Sequence, residues 1–316
     1  MVPGLTLYRK FCKKHPQLPV YLQAAWLEAA AGGSEWGIAL VEKGGEVVAA
    51  QPWFLKRKWG QSLCYQPFLV PYLGPWIVYP EGQKVSTRLS WEKELMSKLI
   101  RQLPPYGMFV QSFRPEVANW LPYFWAGFHQ STRYTYRLAL DKTEDELFAG
   151  LTESMRRQVK KGGKNTRVQE TGLLETVYRL KELAYLATGK RFHIPLSYAR
   201  DIFSVADAAG RSRVLEARDE DGNLHAALWL SWDAHCTYYL MGASHPEHKN
   251  SGAMSLLMWE AIRQARNTSR YFDFEGSMIE PVERFFRGFG AEQVSYFEVS
   301  RITSPVMRLW KKWKKI

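Results

Sequence analysis

At 316 residues the chain is too long for one ordinary domain and sufficient for two of about 150 residues each. Apolar residues make up 46% and charged ones 23%, the balance of a soluble globular protein, and no run approaches the roughly 18 apolar residues a spanning helix needs. Cys12, Cys64 and Cys236 are odd in number and far apart, which excludes a disulfide framework and a zinc site and leaves buried free thiols. The net charge of +12 is concentrated in two places. Arg156, Arg157, Lys160, Lys161, Lys164 and Arg167 form one patch; Arg308, Lys311, Lys312, Lys314 and Lys315 form the other. Without them 32 basic residues face 31 acidic ones, so the excess points to an anionic partner rather than to diffuse solvation.

Taken in chain order, Gly37–Val41, a turn at Lys43-Gly44-Gly45-Glu46, and Val47–Ala50 read as a β-hairpin. A helix over Trp91–Gln102 follows, then a strand over Phe109–Phe113, a helical segment, Gly127-Phe128, and an alternating strand Tyr134–Leu138. Thr143 to Glu146 is a capping-box pattern. The helix it opens places Leu147, Leu151, Met155 and Val159 on one buried stripe, and Gly162-Gly163 reads as its breaker. Helices over Leu173–Ala187 and Ser197–Ala209 come next. The earlier order then recurs: hairpin Arg213–Leu228, helix Ala253–Arg266, strand Phe272–Gly276, a short helix, Gly288-Phe289, and strand Ser295–Val299. Phe113 precedes Gly127 by 14 residues and Phe274 precedes Gly288 by 14. Five elements in matching order predict a duplicated α/β domain with mixed sheets, divided near Asp141 into residues 1–140 and 141–316.

Three segments in the second copy carry a family resemblance. They are Leu256–Ile262 with its Trp-Glu-Ala-Ile sequence, Tyr271–Ser277, and Phe285-Phe286-Arg287-Gly288-Phe289-Gly290. Together they resemble the C-terminal signature of the FemAB-like transferases, a branch of the GNAT acyltransferases. The junction Leu151–Arg167 and the entry Tyr21–Leu27 are similar to that family as well. The resemblance implies two tandem GNAT-like domains and transfer of an acyl or aminoacyl group to an amine, with a cell-envelope precursor as acceptor. The alternatives are acyl-CoA-dependent acetylation of an amino sugar or small metabolite, and a non-catalytic protein that binds RNA or a membrane surface. The implied donor is acyl-CoA or aminoacyl-tRNA, with no tightly bound cofactor. This chain departs from the family at Arg287, where Lys is usual, and at Leu27-Glu28-Ala29-Ala30, where bridge-forming members place a phosphate-binding Lys. These two departures, with the lack of the long helical-hairpin insertion that some tRNA-using members carry, shift weight from the bridge-forming enzymes toward the broader FemAB-like acetyltransferases.

Amide formation passes through a tetrahedral oxyanion and requires an unprotonated amine. Phe286 and Arg287 sit where the resemblance predicts the closing motif; Arg287 stays protonated and could only hold a phosphate or stabilise charge. The bland reading of Arg287 is a surface residue. Asp273 and Glu275 alternate on a strand and are read as facing one side, where they could orient or deprotonate an amine; the alternative is capping or pairing with Arg284. His248 to Ala253 is a degraded form of the Gly-rich turn that cradles pyrophosphate at a helix N-terminus, with Lys249, an N-cap Ser251 and Gly252 retained. Arg156, Arg157, Lys160, Lys161 and Tyr198 complete the expected binding set, the basic stripe being either an anion site or a solvated face. His193, His235 and His245 show no spacing that suggests a metal, and none is expected. The tail 306–316 places Val306, Leu309, Trp310, Trp313 and Ile316 on one side of a basic helix, a pattern for a membrane surface or for docking on the chain itself. The start, Met1–Leu5, lacks a basic stretch followed by an apolar core, so a cytoplasmic location, peripheral at the inner face of the membrane, is expected.

Overall fold

The computed structural model describes residues 4–276 and 278–313, with side chains through Leu309. In chain order the elements of the first half are α1 (Leu5–Lys14), α2 (Ala24–Ala31), β1 (Glu35–Lys43), β2 (Glu46–Lys58), β3 (Gln61–Cys64), β4 (Trp76–Ile77), α3 (Val85–Arg101), β5 (Met108–Ser112), α4 (Leu121–Trp125) and β6 (His129–Ala139). The second half holds α5 (Glu144–Gly150), α6 (Glu153–Asn165), β7 (Arg167–Glu170), α7 (Leu174–Leu186), α8 (Leu196–Ala208), β8 (Ser212–Arg218), β9 (Leu224–Trp232) and β10 (Cys236–Ser244). It ends with α9 (Ala253–Ala265), β11 (Tyr271–Asp273), α10 (Glu280–Arg287), β12 (Glu292–Ile302) and α11 (Pro305–Trp313). The expected duplicated order of hairpin, helix, strand, helix and strand is present in both halves.

Two compact units result, one of residues 4–133 with 295–313, the other Tyr134–Val294. In the first, the strands lie in the order β1-β2-β3-β5-β12, with β4 alongside β2 and only the β3–β5 pair parallel. In the second the order is β6-β11-β10-β9-β8-β7, and only β10–β11 is parallel. The units are therefore not the contiguous halves divided near Asp141. Each repeat surrenders its last strand: β6, from the first repeat, lies on β11, and β12, from the second, lies on β5. The exchange keeps register. Arg137 opposes Asp273 and Glu298 opposes Ser112, and both Ser112–Asp273 and Arg137–Glu298 are 161 positions apart. A strand's own sequence specifies a face and a period, not which neighbour it will pair with, so spacing alone placed these strands with the wrong unit.

The second unit buries its sheet on both faces. Ala226, Leu228 and Leu230 of β9 join Leu147, Leu151, Met155 and Val159 and the inner face of α9 in one core. On the opposite face Trp229 packs its ring against Phe203 of α8, the two centroids 5.7 Å apart. Two buried faces explain why β9 reads as a continuous apolar run rather than an alternating one. The Thr143 capping box is formed, with the Thr143 side chain accepting the Glu146 N–H and the Glu146 carboxylate accepting the Thr143 N–H. The helix it begins is shorter than expected. Leu151 is extended at φ −65°, ψ 145°, and Thr152 caps a second helix, α6. That helix runs straight through Gly162-Gly163, so the pair is not a breaker. Gly162 faces Gly252 instead: a Cβ on Gly162 would lie 2.6 Å from the Gly252 carbonyl oxygen, and one on Gly252 2.5 Å from that of Gln158. The glycines let α6 approach the start of α9 at backbone distance.

All three cysteines are buried, and none of them is in a disulfide. At the chain end Met307 is buried while Val306 and Leu309 are exposed; the side chains of Trp310 and Trp313, and Ile316 altogether, lie outside the described residues. No helix among the described residues is long and apolar enough to cross a membrane.

Candidate active site

β10 and β11 pair over only three residues, Cys236–Tyr238 against Tyr271–Asp273. Beyond them β10 continues to Ser244 without β11, and its register against β9 shifts between Tyr239 and Met241. The parted strands open a cleft of about 1150 Å³ within the second unit. Its walls are Tyr239–Ser244 of β10, the start of α9 from Gly252, the segment Phe274–Gly276, and α10 through Phe286, with Gln158 and Lys161 from α6 and Lys181 and Tyr185 from α7. A bulge and a prematurely ended strand are the devices that re-aim side chains beside a site.

Glu275 is the group in this cleft with unmet chemistry. Strand β11 stops at Asp273, and Glu275 turns into the left-handed region at φ 57°, unusual for a non-glycine residue. Its Oε1 is sealed from solvent without a hydrogen-bond partner. Burial, and secondarily the Asp273 carboxylate, push its acid well above the usual carboxylate range. Tyr239 lies on the opposite strand, and its phenol is likewise raised, by burial first and by Glu275 second. Lys181 donates to the Gly242 carbonyl at 2.9 Å, and burial lowers its ammonium below the ordinary lysine value. The cleft thus sets a carboxyl of raised proton affinity, a phenol and a desolvated lysine among Phe274, Phe285 and Phe286. Perturbed groups converging in one concavity mark a candidate catalytic centre.

The sequence-derived residues fall into two groups. Glu275, Phe286, Lys161, Lys249 and Gly252 line the cleft. Phe286 is buried, its ring 5.1 Å from that of Phe274 and 6.0 Å from that of Tyr239. The others are not brought to it. Asp273 is fully buried and committed to structure: it pairs with Arg137 Nε at 2.8 Å and accepts the Thr135 hydroxyl and the Glu275 N–H. It does not face the cleft beside Glu275, because the left-handed turn ends the strand alternation on which that reading depended; Arg137, not Arg284, is its cation. Arg287 lies in the last turn of α10, 62% exposed, with Nε on Glu283 at 2.9 Å, which is the surface reading. Arg156 donates to the Ala149 and Leu151 carbonyls at 2.7 and 2.6 Å and closes the α5–α6 junction. Arg157 pairs with Glu153 on the helix surface, Lys160 is exposed, and Tyr198 lies on α8; none of them lines the cleft. Ser251 accepts the Ala253 N–H at 3.3 Å but precedes the true N-cap, Gly252, and its carbonyl ties α9 to Asn165 of α6.

Sequence reasoning missed Lys181, Tyr239, Tyr185 and Gln158. Lys181 and Tyr185 were hidden in the amphipathic pattern of α7 and Gln158 in that of α6; Tyr239 was hidden in a strand that is otherwise core. It also missed a histidine group. His245, Glu247 and His248 bring ligand-type atoms within 4.8 Å of one another, and the His248 ring stacks on His225 at 4.0 Å. The His245 Nδ1 there accepts the Glu247 N–H at 3.3 Å.

Comparison with known proteins follows the same lines. Residues 149–287, which include every residue that lines the cleft, match the family described as acetyltransferase (GNAT) domain. No curated protein sequence matches the chain. Among solved structures the fold is similar to that of FemX, at TM-score 0.69 and 16% identity over 98% of both chains. It is also similar to a tandem GNAT protein from the clavulanic acid biosynthesis pathway, at TM-score 0.55 and 16% identity over 89% of this chain and 87% of that one. A third likeness is to the C-terminal domain of a putative lysylphosphatidylglycerol synthetase from Agrobacterium fabrum, at TM-score 0.51 and 12% identity over 91% and 90%. The unit that carries the cleft thus holds an acetyltransferase (GNAT) domain, and the chain as a whole has a fold similar to those of FemX and the tandem GNAT protein.

Proposed function

We propose that the chain is an N-acyltransferase in which the second-unit cleft receives the activated acyl end of a phosphate-bearing donor and Glu275 takes the proton from the acceptor amine. The observation that carries this reading is the Glu275 carboxyl at the cleft wall, whose buried Oε1 has no hydrogen-bond partner. A carboxylate desolvated in this way is a stronger base than one in water, which suits removal of a proton from an ammonium near neutral pH. The amine nitrogen then attacks the acyl carbon, forming the C–N bond. The C–S or C–O bond to the carrier breaks, the leaving thiolate or alkoxide takes a proton from Tyr239, and the second proton of the attacking nitrogen passes to the Tyr239 oxygen, leaving the neutral amide. Lys181 spends one of its three N–H donors on Gly242 and offers the others to the developing oxyanion. Lys161 and Lys249, beside the N-terminus of α9, suit the phosphates of the donor.

GNAT domains use acyl-CoA, and acyl-CoA is the first donor to test. A second reading, an aminoacyl-tRNA donor, is favoured by Lys160 and Lys164, which continue the positive charge along α6 outside the cleft, as a polyanion would need. The acceptor amine on this reading belongs to a cell-envelope precursor; on the first reading an amino sugar or a small metabolite serves equally. Acetyl-CoA is expected to raise the melting temperature of the wild-type chain and of Glu275→Gln alike. Glu275→Gln is expected to lower kcat by about 10²–10⁴-fold with little change in donor affinity. Activity abolished by RNase in lysate and supported by charged tRNA would select the second donor. A chain that neither binds acetyl-CoA nor consumes charged tRNA, or a Glu275→Gln enzyme of unchanged kcat, rejects the proposal.

A further inference from the structure

The cleft of the second unit has a counterpart in the first. Arg114 follows Phe113 at the end of β5 as Glu275 follows Phe274 at the end of β11, and in both units the matching glycine lies 14 residues beyond the Phe. Around Arg114 the first unit encloses a cavity of about 480 Å³. It is walled by β4 and by the first turns of α3, as the second is walled by β10 and the first turns of α9. The charge at the matching position is reversed. Where the second unit buries an acid, the first buries a guanidinium, 8% exposed and stacked on the Trp76 ring at 4.2 Å.

That guanidinium is poorly satisfied. Its Nε has no hydrogen-bond partner, and its Nη1 and Nη2 reach Glu116 Oε2 and the Pro75 carbonyl only at 3.5 Å, the outer limit of a hydrogen bond. The other acid of the cavity, Glu92, is already engaged: Oε1 accepts the Tyr79 hydroxyl at 2.8 Å and Arg88 Nε at 3.2 Å, and Oε2 accepts the Asn119 amide at 2.8 Å. An arginine cannot shed its proton, and a buried charge short of acceptors is costly unless a ligand supplies them. Across from it, Val85 and Leu89 stand 76% and 48% exposed on α3, an apolar wall without a cover. We infer that this cavity is a binding site for a small organic anion, a carboxylate or phosphate on an apolar body, whose charged end is held bidentately by Arg114.

Benzoate and phenyl phosphate, with benzyl alcohol as the neutral control, test this on the full chain by calorimetric titration. At least one of the two anions is expected to bind about tenfold or more tightly than the alcohol, the difference a charge-assisted hydrogen bond provides. Preference for benzoate would identify a carboxylate ligand, and preference for phenyl phosphate a phosphate. Arg114→Gln should remove the preference. Leu89→Glu, at an exposed rim position, should weaken anion binding several-fold while leaving the fold and the acyl transfer assigned to Glu275 unchanged, and it decides the matter should Arg114→Gln fail to fold. The inference is overturned if neither anion binds better than the alcohol, or if Leu89→Glu binds both as the wild type does.

Discussion

Glu275 combines a left-handed backbone with a buried carboxyl oxygen that nothing in the described structure satisfies. Both features oppose folding, and they are kept where a site needs a poised group. The pH dependence follows from the direction of its shift. An acid whose folded pKa lies above its ordinary value of 4.5 binds more protons in the native than in the unfolded chain, between that value and the raised one. Stability from this residue therefore falls as pH rises through that window and stays low above it. Glu275→Gln removes the titration, so the variant should match the wild type near about pH 4 and melt several degrees higher by about pH 8. Thermal melts across that range check it; a difference between the two that does not change with pH means the carboxyl is not shifted. Asp273, two residues earlier, is the opposite case, a buried carboxylate already paired with Arg137 and so kept for structure.

Among the elements, the α6–α9 contact governs the geometry of the cleft, since α6 supplies Gln158 and Lys161 and α9 begins at the cleft wall. Gly252 caps α9 at φ 86°, a conformation open to glycine, and has no room for a methyl group against Gln158. Gly252→Ala should cost about 2–4 kcal/mol from backbone strain and overpacking combined, and should raise the KM for donor more than it lowers kcat. Denaturant melts and steady-state kinetics measure both; a change under about 0.5 kcal/mol would show that α6 can move aside. This contact also shows what the sequence could not reveal. Gly162-Gly163 reads as a breaker because composition registers missing side chains and not the helix that fills the space. Strand and helix periods were legible, and so were the repeat and the stripe Leu147, Leu151, Met155 and Val159. Glu275 was legible as a chemical group but for a mistaken reason, because a left-handed turn leaves no signature when a glutamate adopts it. Arg287 looked catalytic by position and proved to be a surface partner of Glu283.

On the scale of the whole chain, the strand exchange makes each unit depend on sequence from the other repeat. Residues 1–140 supply β1, β2, β3 and β5 of the first unit but not β12, whose Glu298–Ile302 cover Ser112–Met108. Residues 141–316 supply β11 but not β6, whose Arg137–Ala139 cover Asp273–Tyr271 and whose Arg137 neutralises the buried Asp273. Either fragment alone would leave a row of unpaired backbone groups on a core strand, the template from which sheets aggregate. The second would also bury Asp273 without its cation, a loss of about 3–5 kcal/mol and a large share of a domain's stability. Each half expressed separately is therefore expected to be insoluble or to lack a cooperative melt, although each carries a full repeat by sequence. Coexpression of the two halves should restore soluble protein with both present in one complex, because the missing strands are then supplied in trans. A fragment carrying residues 129–294, which retains β6 and omits most of β12, should fold better than 141–316 and keep acetyl-CoA binding if the donor site lies wholly in that unit. Solubility, melting curves and thermal shift with acetyl-CoA on these four preparations test the arrangement; a stable, cooperatively melting 141–316 fragment would show that β6 is dispensable and that the repeats fold as independent halves.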